Sequence, residues 1–294
     1  MRIKDSFHPY AAFTIMCWSL SYVLTRLTLQ YFSSTSLAFL RYLIASITLA
    51  VISFLVKMKL PEKKDLLLFF LSGGVGFFLY MIAFNKGQAT VTAATGSVVI
   101  ATVPVVTALM ARFLYGERLR GYQWVAIGVE FVGVAALALL DGAFSVNTGL
   151  LWLLLAVLSL SVYNLIQREL TKRYTAMQAS TYSIYCGTVM LAVFAPLSVR
   201  QAAQAPPIQF LYLGIMGVFS SAVAYVAWAK AFAKAEQTSQ VSNYMFITPF
   251  LASVLGFVVI GEVPDRATAI GGGIILLGVV LFNFGGLFLK AAKK

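Results

Sequence analysis

The chain has 294 residues, of which 60% are hydrophobic and 11% charged, with a mean hydropathy of +0.87, whereas a soluble domain carries about 25% charged residues. A water-soluble fold is excluded. The net charge of +12 does not indicate nucleic acid, because the 22 Lys and Arg gather at the ends of apolar runs and not along one face.

A helix needs about 20 apolar residues to cross a bilayer, and ten runs of about that length follow one another, at 11–29, 35–56, 66–84, 92–111, 122–140, 149–166, 182–199, 210–229, 241–260 and 269–289. The first follows Arg2 and Lys4 but is too long for a signal-peptide core and lacks a small-residue cleavage site, so it reads as an uncleaved span. The third is unbroken in its apolarity, where a barrel strand would alternate. The expected fold class is an all-α polytopic membrane protein with ten transmembrane helices. The loops are too short to hold an extramembrane domain. Cys17 and Cys186 lie inside apolar runs and give neither a disulfide framework nor a CxxC motif.

With both termini cytoplasmic, the inner segments gather seventeen of the 22 basic residues, and the outer ones hold Lys86, Arg200 and Arg266. The positive-inside rule favours that orientation. Shifting the chain on itself by 145 residues sets Pro104 on Pro249, Gly116-Glu117 on Gly261-Glu262, Gly128 on Gly273, Gly133 on Gly278, Ser97 on Ser242 and Tyr80 on Tyr225. Near the start of each half, Trp18-Ser19 and Tyr22 fall opposite Leu160-Ser161 and Asn164 at a slightly shorter offset. The expected domains are therefore two five-helix repeats, 1–147 and 148–294. An odd number of helices inserts the second copy upside down, an arrangement that points to secondary transporters with a midplane site between the repeats.

Several residue patterns resemble the EamA-type members of the drug/metabolite transporter superfamily: Leu40-Arg41-Tyr42-Leu43-Ile44-Ala45, Gln88-Ala89-Thr90 running into Pro104, and Gly116-Glu117, with Pro249 and Gly261-Glu262 repeating the pattern. The resemblance covers nearly the whole chain and is specific as an ensemble. It implies a ten-helix bundle of two inverted repeats, a multi-pass protein of the bacterial cytoplasmic (inner) membrane, and export of a small metabolite, often an amino acid. Aromatic amino-acid exporters are the nearest in character. The second repeat has Cys186 opposite Arg41, which argues against a symmetric role for that arginine.

Pro104 and Pro249 each remove a backbone donor about halfway along the fourth and ninth helices, so each is a hinge or a static packing bend. Gly73, Gly74 and Gly76, and the run Gly271 to Gly273, suit close helix contact better than phosphate cradling. Ser221, Tyr225 and Trp228 at i, i+4, i+7 share one helical face, and Tyr80 and Phe84 share another. These faces suit an apolar or aromatic side chain, or else a membrane-interface belt. Trp18, Tyr22, Ser97, Thr102, Asn164, Ser242, Asn243, Tyr244 and Thr248 are candidates to hold a zwitterion, with helix-to-helix hydrogen bonding as the alternative. Arg41 and Glu130 are the ionisable groups well inside spans; they are expected to pair with each other, or to serve a substrate carboxylate and a proton. His8 is expected at the membrane boundary.

No nucleophile–base group, HExxH motif or metal cluster is legible, so an intramembrane enzyme is disfavoured and neither a cofactor nor a metal is expected. The expected partners are a small-molecule substrate and the lipid bilayer. The runner-up function is antiport of sugar phosphates or nucleotide sugars, for which the midplane offers few cations.

Overall fold

The computed structural model describes residues 6–115, 119–140, 148–235, 241 and 243–291, and every regular element among them is helical. In chain order the first five are α1 (His8–Thr28), α2 (Ser34–Leu55), α3 (Lys63–Gln88), α4 in two pieces (Ala93–Ile100 and Val103–Tyr115) and α5 (Gly121–Leu140). They are followed by α6 (Thr148–Thr171), α7 (Ala176–Ala202), α8 (Pro207–Lys234), α9 (Thr248–Ile260) and α10 (Arg266–Ala291). The apolar runs of the sequence overlap these helices, but the run at 241–260 is only partly α-helical, with the 3-10 turn Asn243–Ile247 ahead of α9. Among the described residues, six helices are long and apolar enough to cross a membrane: α2, α3, the Thr95–Leu114 stretch of α4, α6, α7 and α8. Thr248–Ile260 and Thr268–Phe282 are shorter apolar helices. Large side chains such as Phe54, Leu67, Phe113 and Val258 are exposed on the outside of the bundle, as a lipid-facing surface requires.

Helix ends follow caps more than hydropathy. α6 and α7 outrun the apolar stretches at 149–166 and 182–199, and α7 begins at a capping box in which Thr175 Oγ1 accepts from the Gln178 amide and Gln178 Oε1 accepts from the Thr175 amide. Ser33 and Thr92 cap α2 and α4 in the same sense. Gly261, at φ +66°, ends α9 in the left-handed conformation and turns the chain back over the helix end.

Two irregularities recur at matching places in the two halves. α4 is interrupted at 101–102, just before buried Pro104, and α9 is preceded by a 3-10 turn, Asn243–Ile247, just before buried Pro249. Each proline is the second residue of a helical piece, Val103–Tyr115 and Thr248–Ile260, where its missing amide breaks no helical bond, and not a point about halfway along a continuous helix as the sequence suggested. Both α3 and α8 also contain a π segment, Gly74–Leu79 and Met216–Val223, which the repeat offset brings into overlap. Neither π turn is visible in the residue pattern.

The core is aromatic. Phe77 meets Tyr42, Tyr163 and Tyr225 edge-on with ring centroids 5.1, 5.1 and 4.9 Å apart, each such pair adding about 0.5–1.5 kcal/mol beyond its buried area. Close approach depends on glycine as expected at Gly73, where a Cβ would lie 2.6 Å from Gly187 N on α7, and at Gly76, where it would overlap the Tyr163 ring. In the second glycine run, Gly272 faces Val98 but Gly273 meets nothing within 4 Å. α5 packs along α10 to one side of the core, and α10 touches α4.

The bundle has two distinct ends. At one, Asp65 accepts from Arg173 and Tyr174, Tyr182 donates to Lys59 O, and Lys230 lies over the Tyr10 ring. This end gathers basic loops that the sequence assigns to the inside. At the other, Ser33 N donates to Gln201 Oε1, Asn85 donates to Ser34 O, and Arg26 meets Glu262.

Candidate functional site

A cavity opens within the core between α1, α2, α3, α4, α8 and the start of α9, walled by Trp18, Ser21, Tyr22, Arg41, Tyr80, Met81, Phe84, Ile100, Tyr225, Met245 and Thr248. Its volume is about 20 Å³, room for a single water. Tyr22 meets Phe84 edge-on at 5.3 Å, Tyr80 stacks on Phe84 at 5.7 Å, and Trp18 meets Tyr225 at 5.1 Å. These contacts close the space with rings.

The walls are fixed by unusual backbone. The π segment of α8 offers a carbonyl that an α-helix would keep for itself: Trp18 Nε1 donates to Ser220 O at 3.0 Å, and Ser220 Oγ donates to Cys17 O at 2.9 Å. Thr14 donates to Ala224 O on the next turn. α1 is thus stitched to α8, one helix from each half of the sequence. Arg41, 3% exposed, donates from Nε to Ser221 Oγ at 2.5 Å.

Of the sequence candidates, the structure brings together Trp18, Tyr22, Tyr80, Phe84, Tyr225 and Thr248 as cavity walls. Trp228, one turn beyond Tyr225 in the same α-helical segment Ala224–Lys234, packs on Trp18 at 5.0 Å and stands off the cavity wall, farther along toward the end of α8. Asn164 is fully buried on α6 off the cavity wall, with neither amide atom hydrogen-bonded. Ser97 is buried in the first piece of α4, and Thr102 donates to Val99 O within its own turn. Tyr244 lies away from the cavity, its hydroxyl 2.5 Å from His8 Nδ1 at the bundle end where His8 was expected. Ser242 lies outside the described residues, as does the side chain of Asn243.

The expected Arg41–Glu130 pair does not form. Arg41 on α2 turns to α8, whereas Glu130 on α5 lies against α10, where a Cβ at Gly278 would touch its Cγ, and neither of its oxygens has a hydrogen-bond partner. Sequence depth placed both charges inside the bundle but could not give the direction each helix faces. Ser21, Met81, Ile100 and Met245 were missed as wall residues because small or apolar groups carry no signal of their own.

A second constellation closes the end of the bundle beyond Tyr22. Arg26, one turn along α1, donates from Nε to Glu262 Oε1 at 3.0 Å and from Nη1 to Gln88 O and Ala89 O at 3.2 and 3.4 Å. Glu262 Oε2 accepts the Ala93 amide at 2.9 Å. The guanidinium therefore rests on the C-terminal carbonyls of α3 and the carboxylate on the N-terminal amide of α4, each complementing a helix dipole. A vestibule of about 300 Å³ lies here, lined by Arg26, Gln30, Ala89, Ile260 and Glu262 among others.

The sequence pattern of the EamA-like transporter family matches residues 8–139 and again 147–284. The chain belongs to that family. Within the drug/metabolite transporter superfamily this EamA-type chain is a polytopic membrane transporter, not an enzyme. It is similar to a "Probable terminal-alkyne amino-acid exporter" of Streptantibioticus cattleyicolor, with 30% identity over 92% of this chain and 91% of that one. It is also similar to "Uncharacterized transporter YdfC" of Bacillus subtilis, with 30% identity over 91% and 87% of the two chains. The "Uncharacterized inner membrane transporter YedA" of Escherichia coli is 26% identical over 91% and 87%. A solved crystal structure shares the fold at a TM-score of 0.62 and 16% identity, covering 92% of this chain and 94% of that one.

Proposed function

We propose that this chain exports amino acids, including aromatic or other apolar ones, or similar small metabolites, across the bacterial cytoplasmic membrane. It does so by alternating access of two inverted five-helix repeats, 1–147 and 148–294, with both termini cytoplasmic. The observation that carries the reading is the ring-walled cavity, built jointly by α1 to α4 of one half and α8 and α9 of the other. Such a site suits an apolar side chain, with hydroxyls and one guanidinium for the charged backbone groups. The twofold match of the family pattern supports the repeats. Prolines and π segments at matching places in α3, α4, α8 and α9 support paired moving elements. Export follows the family resemblance and the description of the Streptantibioticus relative as a probable exporter. In this reading the end held by Arg26 and Glu262 faces outward, and the near-closed cavity is an occluded form that widens to admit substrate.

Cells overproducing the protein are expected to resist toxic amino-acid analogues and to release amino acids to the medium. If they do neither, while purified protein exchanges sugar phosphates in liposomes, phosphate antiport replaces this reading. One cation on the cavity wall argues against that outcome, since a phosphate ester carries nearly two negative charges.

A further inference from the structure

Arg41 is the cation on the cavity wall, buried to 3% exposure, with no carboxylate within ion-pair reach of it among the described residues. Two carboxylates buried or half-buried in the bundle are committed elsewhere. Glu262 is held by Arg26 and the Ala93 amide, and Glu130 faces α10. A fixed charge inside a membrane bundle is costly unless something of opposite sign reaches it. Among the described residues no counter-charge is fixed in this site, which leaves room for an anion that comes and goes.

The guanidinium is also held still. Ser221 Oγ takes Nε at 2.5 Å, and the π segment bearing Ser221 presses directly on α2, where a Cβ at Gly217 would lie 3.0 Å from Arg41 O and 2.6 Å from Ile44 Cβ. With Nε engaged, the two Nη groups remain, spaced to meet both oxygens of a carboxylate. A second feature lies on the α1 and α9 side of the same cavity. Ser21 Oγ and Thr248 Oγ1, each in a residue 4% exposed, have no hydrogen-bond partner. Buried hydroxyl oxygens without a donor suit an ammonium, which has three donors and no acceptor. Tyr22 and Phe84 line the same cavity, and aromatic rings there add attraction for a cation that enters it.

We infer that Arg41, positioned by Ser221, anchors the carboxylate of a zwitterionic substrate in the central cavity, and that Ser21 and Thr248 receive its ammonium. The substrate class is thereby narrowed to free amino acids; amino-acid amides and simple amines lack the group that Arg41 requires, and deaminated acids lack the other. This rests on the cavity being the substrate site.

The test uses full-length protein in proteoliposomes and labelled L-phenylalanine and L-leucine, with L-phenylalanine amide and 3-phenylpropanoate as competitors. Both analogues are expected to compete at least about 30-fold more weakly than L-phenylalanine, the scale for leaving a buried charge unmatched. Arg41→Gln is expected to abolish the acid-over-amide preference, Ser221→Ala to raise the apparent KM about tenfold as Arg41 loosens, and Thr248→Ala to reduce the preference for amino acid over 3-phenylpropanoate. Wild-type protein that takes the amide as readily as the acid overturns the inference while leaving amino-acid transport standing; this measurement needs no variant to fold. A monodisperse Arg41→Gln protein with unchanged acid-over-amide preference overturns it as well. Transport of sugar phosphates with none of amino acids overturns both the inference and the proposed function.

Discussion

Replacing Glu262 by glutamine is expected to shift the closed end of the bundle toward its open form by about tenfold. The clamp has three parts: the 3.0 Å pair with Arg26, the 2.9 Å bond from the Ala93 amide, and the placement of the carboxylate at the start of α4. The side chains are 31% and 19% exposed, so the ion pair contributes no more than about 1 kcal/mol. A charge at a helix N-terminus adds about 0.3–1 kcal/mol. Glutamine keeps an oxygen for Ala93 and loses the charge, so the net loss is about 1.4 kcal/mol, a factor of ten in the equilibrium. The reporter is Ile100→Cys, which replaces a cavity-wall side chain 2% exposed, in a chain with Cys17→Ser and Cys186→Ser. Its labelling by a membrane-impermeant maleimide added outside cells is expected to speed up about tenfold with Glu262→Gln. Arg26→Gln should act in the same direction, and the double variant should add little, because both partners serve one contact. An unchanged labelling rate in Glu262→Gln would refute the assignment of this contact as a closure. Faster labelling from the cytoplasmic side alone would refute its placement at the outer end.

Pro104→Ala and Pro249→Ala each restore an amide to an interrupted helix and are expected to slow transport severalfold with little loss of thermal stability; wild-type rates in both would remove the hinge role. Gly73→Val places a side chain against the Gly187 backbone and is expected to destabilise the protein by about 2–3 kcal/mol, read as a fall in Tm of the detergent-solubilised protein. Cysteines introduced at Lys59 and Ala89 test the topology: only the Ala89 site should label from outside intact cells, and labelling at Lys59 would reverse the orientation.

What the sequence made legible was what depends on position along a helix. Apolar run length located the helices, Pro104 and Pro249 located the interruptions, and Gly73 and Gly76 located tight contacts. What it left hidden depends on rotation about the helix axis. Ser221 and Trp228, grouped with Tyr225 by i, i+4, i+7 spacing, do not line the cavity, and between Ser221 and the other two the π segment Met216–Val223 departs from the 3.6 residues per turn that the spacing assumes. Arg41 and Glu130 both lie deep, yet one faces α8 and the other α10. The role of Gly261-Glu262 was likewise readable only as a motif; the left-handed glycine ends α9, and the glutamate after it reaches Arg26 and Ala93 across the bundle.

The correspondence between the two halves of the sequence holds for prolines and π segments better than for charge, and Cys186 shows the difference. Sequence correspondence sets it opposite Arg41, but it lies on α7 beside α3, where a Cβ on Gly73 would come within 2.7 Å of its own Cβ, and it joins the packing around Phe69 and Leu170 instead of the cavity. The charge on the cavity wall thus belongs to one half alone, while both halves supply rings. Restoring an arginine at the repeat-related position should therefore fail to restore function: Cys186→Arg in an Arg41→Gln chain is expected to regain no acid-over-amide preference. It should also lower stability, because a long cationic side chain has to enter a seam where α3 and α7 touch through Gly73 and Gly187. Thermal unfolding of the detergent-solubilised protein and competition by L-phenylalanine against its amide give the two readouts. Recovery of the preference by the double variant would mean that the halves are interchangeable at the site and that the position of Arg41 on α2 carries no special role.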